Sequence, residues 1–185
     1  MNWIDIFTAI WIFLPAGLAN GTPVFVNKIP IINKINYPLD FYKSYKGIRI
    51  FGDHKTFRGL ISGVIIAILT AIIQQSAYLG SPWLQSHISI NFNDINPIIF
   101  GILAGSGALL GDAIKSFFKR RTNIKPGEPW FPFDQIDYII GGCIFLLPYL
   151  SSNLLFIIYI FIFYFLLHIV STFIGYLLKL KDKPI

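Results

Sequence analysis

Pro97 to Phe118 reads PIIFGILAGSGALLGDAIKSFF and runs straight into Lys119-Arg120-Arg121. A bilayer core about 30 Å thick takes roughly 20 helical residues, and this stretch has that length, an apolar body and a basic end. Only Asp112 and Lys115 interrupt it, both near the basic end. The pattern predicts a membrane-spanning helix whose charged end lies at one face of the membrane.

Four further apolar stretches flank it: Ile4 to Leu18, Leu60 to Leu79, Ile136 to Tyr149 and Leu154 to Leu178. Gly59 to Asn93 and Tyr138 to Leu178 contain no Asp, Glu, Lys or Arg, and Pro148 with Ser151, Ser152 and Asn153 divides the latter run. Of the 185 residues, 55% are hydrophobic and 13% charged, whereas soluble domains carry about 25% charged residues. That composition excludes disorder, which needs low hydrophobicity and high charge. Cys143 is the sole cysteine, so neither an intrachain disulfide nor a Cys-based zinc site is available. The first and fourth stretches are short, and roughly 14 or 15 residues at 1.5 Å rise give about 21–23 Å. A short helix still spans when its end opens into a polar cavity within the protein. Asp5 and the missing basic n-region argue against a signal peptide.

The net charge of +6 has a topological explanation. Lys28, Lys34, Lys43, Lys46, Arg49, Lys55 and Arg58 lie between the first and second stretches. Lys115, Lys119, Arg120, Arg121 and Lys125 end and follow the third; Lys179, Lys181 and Lys183 follow the fifth. No other Lys or Arg exists, and the N-terminus, the 80–96 loop and the 150–153 turn have none. By the positive-inside rule the N-terminus is outside and the C-terminus cytoplasmic. The expected fold is all-α: one integral domain over 1–185, with five transmembrane helices and cytoplasmic loops at about 20–59 and 119–135. The basic charge needs no nucleic-acid partner, and no nucleic-acid motif appears.

Asp112, Lys115, Ser116 and Lys119 share one helical face through offsets of three and four. Asp112 reads either as a functional carboxylate facing the bundle interior or as the structural partner of Lys115, with Lys119 snorkelling to the surface. Pro132 suits the first turn of the next helix and Asp134 its N-cap. Asp134 and Asp137 then lie three apart with converging carboxylates, which repel unless a cation lies between them. Capping of the first turn is the other reading of this pair. Asp112 and Asp134 are separated by only 21 residues. Three hard oxygen ligands beside Lys115, Lys119, Arg120 and Arg121 are the composition that Mg²⁺ and a nucleoside triphosphate require. There is no Walker A sequence.

Gly52-Asp53-His54-Lys55-Thr56-Phe57-Arg58-Gly59 forms a third cluster. It reads as a basic flank of the second span or as a phosphate cradle of Lys55, Thr56, Arg58 and backbone N–H groups. Asn20-Gly21-Thr22-Pro23 reads as a turn whose Asn20 lines the same cavity. His87 and His168 read as structural, and no zinc spacing links the three histidines.

The 52–59, 111–121 and 125–137 motifs together resemble the CDP-archaeol synthase family, over essentially the whole chain. Ser116, Lys119, Arg120, Pro126, Gly127, Asp134 and Asp137 echo the family pattern of Ser, Lys and Arg, then Pro-Gly, then Asp-x-x-Asp. Relatives on the diacylglycerol side carry a Lys-Asp pair and a His-Gly-Gly segment, where this chain has Thr122-Asn123-Ile124-Lys125 and Trp130-Phe131-Pro132-Phe133. The resemblance therefore implies the archaeal branch. It implies Mg²⁺-dependent transfer of CMP from CTP to an isoprenoid ether-lipid phosphate at the cytoplasmic face of the cell membrane. Asp112, Asp134 and Asp137 would hold the metal and act with Lys115 and Lys119. Asn20, Asp53, Lys55, Thr56, Arg58, Ser116, Arg120 and Arg121 would bind substrate. A CDP-alcohol phosphotransferase is a competing enzyme class, but its carboxylates repeat at four-residue spacing. A cation transporter would place polar groups in several spans.

Overall fold

The computed structural model describes residues 2–27, 36–125, 127–150 and 154–179. Lys28, Lys34, Lys181 and Lys183 of the basic segments, Pro126, and the Ser151-Ser152-Asn153 break lie outside them. Six helices follow in order: α1 (Trp3–Val26), α2 (Phe57–Gly80), α3 (Pro82–His87), α4 (Pro97–Arg121), α5 (Phe133–Leu146) and α6 (Leu154–Leu177). A two-stranded hairpin, β1 (Ser44–Tyr45) with β2 (Ile48–Arg49), lies between α1 and α2. The fold is thus mostly helical, as expected, with this small antiparallel addition.

Helices α1, α2, α4 and α6 are long and apolar enough to cross a membrane. Three of them start on capping side chains. Asn2 Oδ1 accepts from Ile4 N at 3.2 Å, Thr56 Oγ1 from Gly59 N at 3.2 Å, and Asn96 Oδ1 from Ile98 N at 3.0 Å with Pro97 in the first turn. Lys119, Arg120 and Arg121 close α4 where the helix dipole favours cations. At 14 residues α5 is shorter, about 21 Å by its rise.

Two expectations need correction. Asn20-Gly21-Thr22-Pro23 is not a turn; α1 runs through it for 24 residues in all. Thr22 Oγ1 donates back to Leu18 O at 2.8 Å, and the Pro23 ring faces Gly59 of α2, so tertiary packing overrides the local breaker. Helix α1 ends at Val26 and α2 begins at Phe57, and α4 ends at Arg121 and α5 begins at Phe133. The 80–96 connection also contains helix α3 and a 3₁₀ turn at Phe92–Asp94.

Helix α4 packs most extensively, against α5 on one side and α2 on the other, while α1 touches α2, α4, α5 and α6. The α4–α5 approach depends on missing side chains. A Cβ at Gly141 would strike Gly107 O and lie 2.8 Å from Gly111 Cα, and one at Gly111 would strike Asp137 O. Buried aromatics fill the space beyond. Tyr138 Oη donates to Tyr164 O at 2.8 Å and Tyr164 Oη to Ile10 O at 2.7 Å, linking α5, α6 and α1. Helix α6 leaves Ile162, Leu166, Val170 and Phe173 exposed, as a face in contact with lipid does.

The segment before α2 is folded back on itself. Leu39 N donates to Lys55 O at 2.7 Å and Phe57 N to Tyr37 O at 2.9 Å, so the hairpin loop is closed at its base. This delivers residues 51–55 to the basic end of α4.

Candidate active site

The α4 face expected from its spacing forms, and two other elements meet it. Lys115 Nζ lies 3.2 Å from Asp112 Oδ1, 2.6 Å from Asp134 Oδ1 and 2.8 Å from Asp137 Oδ2. Lys119 Nζ lies 2.9 Å from Asp134 Oδ2, and Lys55 Nζ pairs with Asp112 Oδ2 from the hairpin loop. Three ammonium groups therefore balance three carboxylates. Such balance is what a mostly buried set of charges demands, because an unpaired one costs several kcal/mol. Close packing at Gly111 and Gly141 is what lets α5 carry Asp134 and Asp137 to Lys115.

Asp134 is not the N-cap expected. Pro132 holds that place without a side-chain bond, and Asp134 sits one residue inside the helix, where Oδ2 accepts from Trp130 N at 2.6 Å. Asp137 Oδ1 accepts from Tyr138 N at 2.6 Å. Its Oδ2 is buried and, apart from the Lys115 charge, has no hydrogen-bond donor.

A small cleft of about 100 Å³ adjoins this cluster. Phe51, Gly52, Asp53, His54 and Lys55 form one wall; Lys115, Ser116, Lys119 and Arg120 of α4, with Gly127, form the other. Lys55, Lys115 and Lys119 thus each pair with a carboxylate and also line the cleft. Ser116 Oγ donates to Asp112 O at 3.0 Å. Gly52 has φ +89°, a conformation that favours glycine, and its carbonyl accepts from Lys55 N at 3.4 Å in the turn leading to Lys55. Phosphate is the chemistry that a polar cleft with several cations on its walls accommodates.

Four expected substrate residues lie elsewhere. Thr56 caps α2. Arg58 is buried and donates through Nη2 to Asn27 Oδ1 at the end of α1. Arg121 stacks 3.3 Å from the Phe117 ring centroid and donates to Phe117 O at 2.9 Å. Asn20 is half-buried within α1. Asp53 does line the cleft, held by Arg49 Nη1 at 2.7 Å.

Asp40 had no place in the sequence reading. It is buried, and its carboxylate accepts five hydrogen bonds, from Tyr42 N, Arg49 Nε, Arg49 Nη2, Phe51 N and Gly52 N. Burial pushes this carboxyl up, yet the Arg49 guanidinium and the two loop amides hold it below the ordinary value. Its partners lie up to 12 residues ahead, a separation that no short motif encodes.

The donor chemistry around Lys115 suits a hard divalent cation. Three carboxylates from two helices already gather about one positive charge, and the Lys115 ammonium is the one partner of Asp137 Oδ2 among the described residues. Among the described residues no trio of His, Cys, Asp or Glu is arranged to hold a metal ion, and the Lys115 ammonium stands among the three carboxylates.

The family model for CDP-archaeol synthase matches residues 2–185. The chain belongs to that family. It is therefore an enzyme, in a family of cytidylyltransferases. The CDP-archaeol synthase of Pyrobaculum islandicum is 32% identical over 100% of this chain and 99% of the relative. That of Thermococcus kodakarensis is 31% identical over the same shares, and that of Pyrococcus furiosus 38% identical over 77% of this chain and 76% of the relative. A solved structure, described as an intramembrane enzyme for archaeal membrane lipids biosynthesis, superposes with a TM-score of 0.68 at 27% identity. The match covers 90% of this chain and 93% of that one. With the four long apolar helices, this makes the CDP-archaeol synthase family member a multi-pass membrane protein of lipid biosynthesis.

Proposed function

We propose that the enzyme transfers CMP from CTP to unsaturated archaetidic acid (2,3-di-O-geranylgeranylglyceryl phosphate), releasing pyrophosphate and forming CDP-archaeol. The observation that carries this reading is the sharing of Lys55, Lys115 and Lys119 between the carboxylate cluster and the cleft. A lipid phosphate oxygen attacks the α-phosphorus of CTP. The bond from that phosphorus to the bridging oxygen breaks, and its electron pair leaves with pyrophosphate. The nucleophile is already an anion, so no serine or cysteine must be activated. Repulsion between the two anions is the main obstacle, and Lys55, Lys115, Lys119 and Arg120 offset it along the cleft. Asp112, Asp134 and Asp137 would hold Mg²⁺, which would supply positive charge against the charge developing on the leaving group. Ser116 and Asp53 complete the polar lining. In this reading Arg58, Thr56 and Arg121 act behind the cleft, by holding helix ends in place.

The same reading makes α5 a fifth crossing, with the N-terminus outside and the cleft in the cytoplasm. Its short reach fits a helix whose first turn opens onto a polar cleft. The lipid tails then remain in the bilayer while the phosphate meets the nucleotide at headgroup depth.

The test is transfer of label from α-³²P CTP into a chloroform-soluble product, with the lipid phosphate supplied in detergent. Label should appear only with lipid phosphate and Mg²⁺ present, and EDTA should stop it. Failure of CTP to label any candidate lipid phosphate would sink the reading. In a Cys143→Ala background, an impermeant thiol reagent should reach Ser86→Cys in intact cells and miss Ser44→Cys. The reverse pattern would invert the topology.

A further inference from the structure

Half of the cleft wall hangs from one carboxylate. Phe51, Gly52, Asp53, His54 and Lys55 supply five of the ten lining residues. Two of their amides, Phe51 N and Gly52 N, donate to Asp40 Oδ2 at 3.0 and 3.1 Å. A third member, Asp53, is tied to the same group through Arg49, whose Nε and Nη2 reach Asp40 at 3.2 and 2.7 Å while Nη1 reaches Asp53 at 2.7 Å. Leu39 N, next to Asp40, holds Lys55 O at 2.7 Å. Asp40 itself touches neither the cleft nor the carboxylate cluster.

We infer that Asp40 is the positioning residue of the nucleotide cleft, setting the place of Lys55 and the 51–54 backbone through Arg49 and two loop amides. The inference rests on the nucleotide reading of the cleft given above. Its physical basis is a fully satisfied buried carboxylate that draws together groups from both ends of the loop. All five bonds come from donors, so only an acceptor on both oxygens satisfies the site. The Lys55 side chain, in turn, reaches α4 only because its backbone is held at the loop base. Lys55 lines the cleft that the nucleotide reading assigns to phosphate, so a loosened loop should be felt in nucleotide affinity.

Asp40→Asn preserves volume but sets an NH₂ against donors whichever way the amide turns. In the intact enzyme in detergent, KM for CTP should rise about tenfold or more, the loss expected for one charge-assisted contact. The KM for lipid phosphate should rise less than that for CTP, and the thermal midpoint should fall by a few degrees, because buried donors are left facing an NH₂. Lys55→Ala should also raise KM for CTP, and the double variant should be less impaired than the product of the two single effects, because both act on one element. Fully multiplicative effects would overturn the inference, as would a silent Asp40→Asn beside an impaired Lys55→Ala. Equal losses in both substrates would also overturn it, since that is a general defect of the fold. If Lys55→Ala is itself silent, the nucleotide reading of the cleft falls, and this inference with it. Should Asp40→Asn fail to fold, Arg49→Gln replaces it. That variant spares the amide bonds and should give a smaller rise in KM for CTP alone; an unchanged KM would count against Asp40.

Discussion

The two ends of the helix bundle solve the same problem with different chemistry. At one end, α4, α5 and the hairpin loop bring together Asp112, Asp134, Asp137, Lys55, Lys115 and Lys119. At the other end hydrogen bonds serve instead, and no ion pair forms there among the described residues. Gln75 Nε2 donates to Phe92 O at 2.9 Å and Ile95 O at 2.7 Å, Ser89 N donates to Thr8 Oγ1 at 2.9 Å, and His87 stacks on Trp83. Both ends satisfy backbone and side-chain polarity where helices stop. Neutral hydrogen bonds suffice for that purpose and each contributes about 1 kcal/mol. Six mostly buried ionisable groups are a costlier solution, and one that a structural need alone does not require. The difference supports the proposal that the charged end is the place of chemistry.

The strongest way to break this comparison is to neutralise the carboxylates. Asp112→Asn, Asp134→Asn and Asp137→Asn should each reduce transfer by more than about 100-fold, the scale of lost transition-state electrostatics. Folding should survive, because shape is kept and Lys115 retains two of its three partners. Activity and Mg²⁺ dependence, measured beside thermal stability, check this. An active Asp134→Asn enzyme with unchanged Mg²⁺ dependence would make that residue a structural acceptor for Trp130 N only.

Next in size is a cation of the cleft. Lys119→Ala should weaken CTP binding by about 1.5–3 kcal/mol, roughly 10- to 150-fold. It leaves Asp134 with Lys115 as its remaining ammonium partner. Steady-state kinetics with varied CTP would show it, and wild-type KM would reduce Lys119 to an anchor at the membrane surface. A packing change should matter less to affinity and more to stability. Gly141→Ala places a methyl against Gly107 O and Gly111. Overpacking of this kind costs about 1–3 kcal/mol, and separation of α4 from α5 should lower activity in step with the thermal midpoint.

The charged end was legible to the extent that its contacts are local. Offsets of three and four placed Asp112, Lys115, Ser116 and Lys119 on one face, and α4 forms as its 22 apolar-rich residues and basic tail imply. Long-range pairing was not legible. Lys55 meets Asp112 across 57 residues, and Asp40 meets Gly52 across 12. Neither spacing belongs to a helix or strand period. Thr56 shows competing signals, since a threonine before an apolar run reads equally as a helix cap and as a phosphate ligand; the cap is what forms. The Asn20-Gly21-Thr22-Pro23 stretch failed for a third reason. Its breaker residues are real, but the Thr22 hydroxyl and the contact of Pro23 with Gly59 supply what the local sequence lacks.

The smallest expected effect belongs to the neutral end. Gln75→Ala removes one donor from two carbonyls, Phe92 O and Ile95 O. These groups close the 3₁₀ turn before α4, so the cost is that of buried acceptors left short of a partner, about 1–3 kcal/mol. For a chain of this size that lowers the thermal midpoint by about 2–4 °C for each kcal/mol. Transfer kinetics should not move, because α4 runs 25 residues from that turn to the basic end, and at 1.5 Å per residue the separation is roughly 35 Å or more. Screening through water over such a distance leaves no electrostatic route. The variant thus asks whether the bundle transmits packing changes from one end to the other. A lowered midpoint with wild-type KM and kcat keeps the two ends separate. A change in KM for CTP would instead mean that α2, which begins beside Lys55 and carries Gln75 near its far end, couples the neutral end to the cleft.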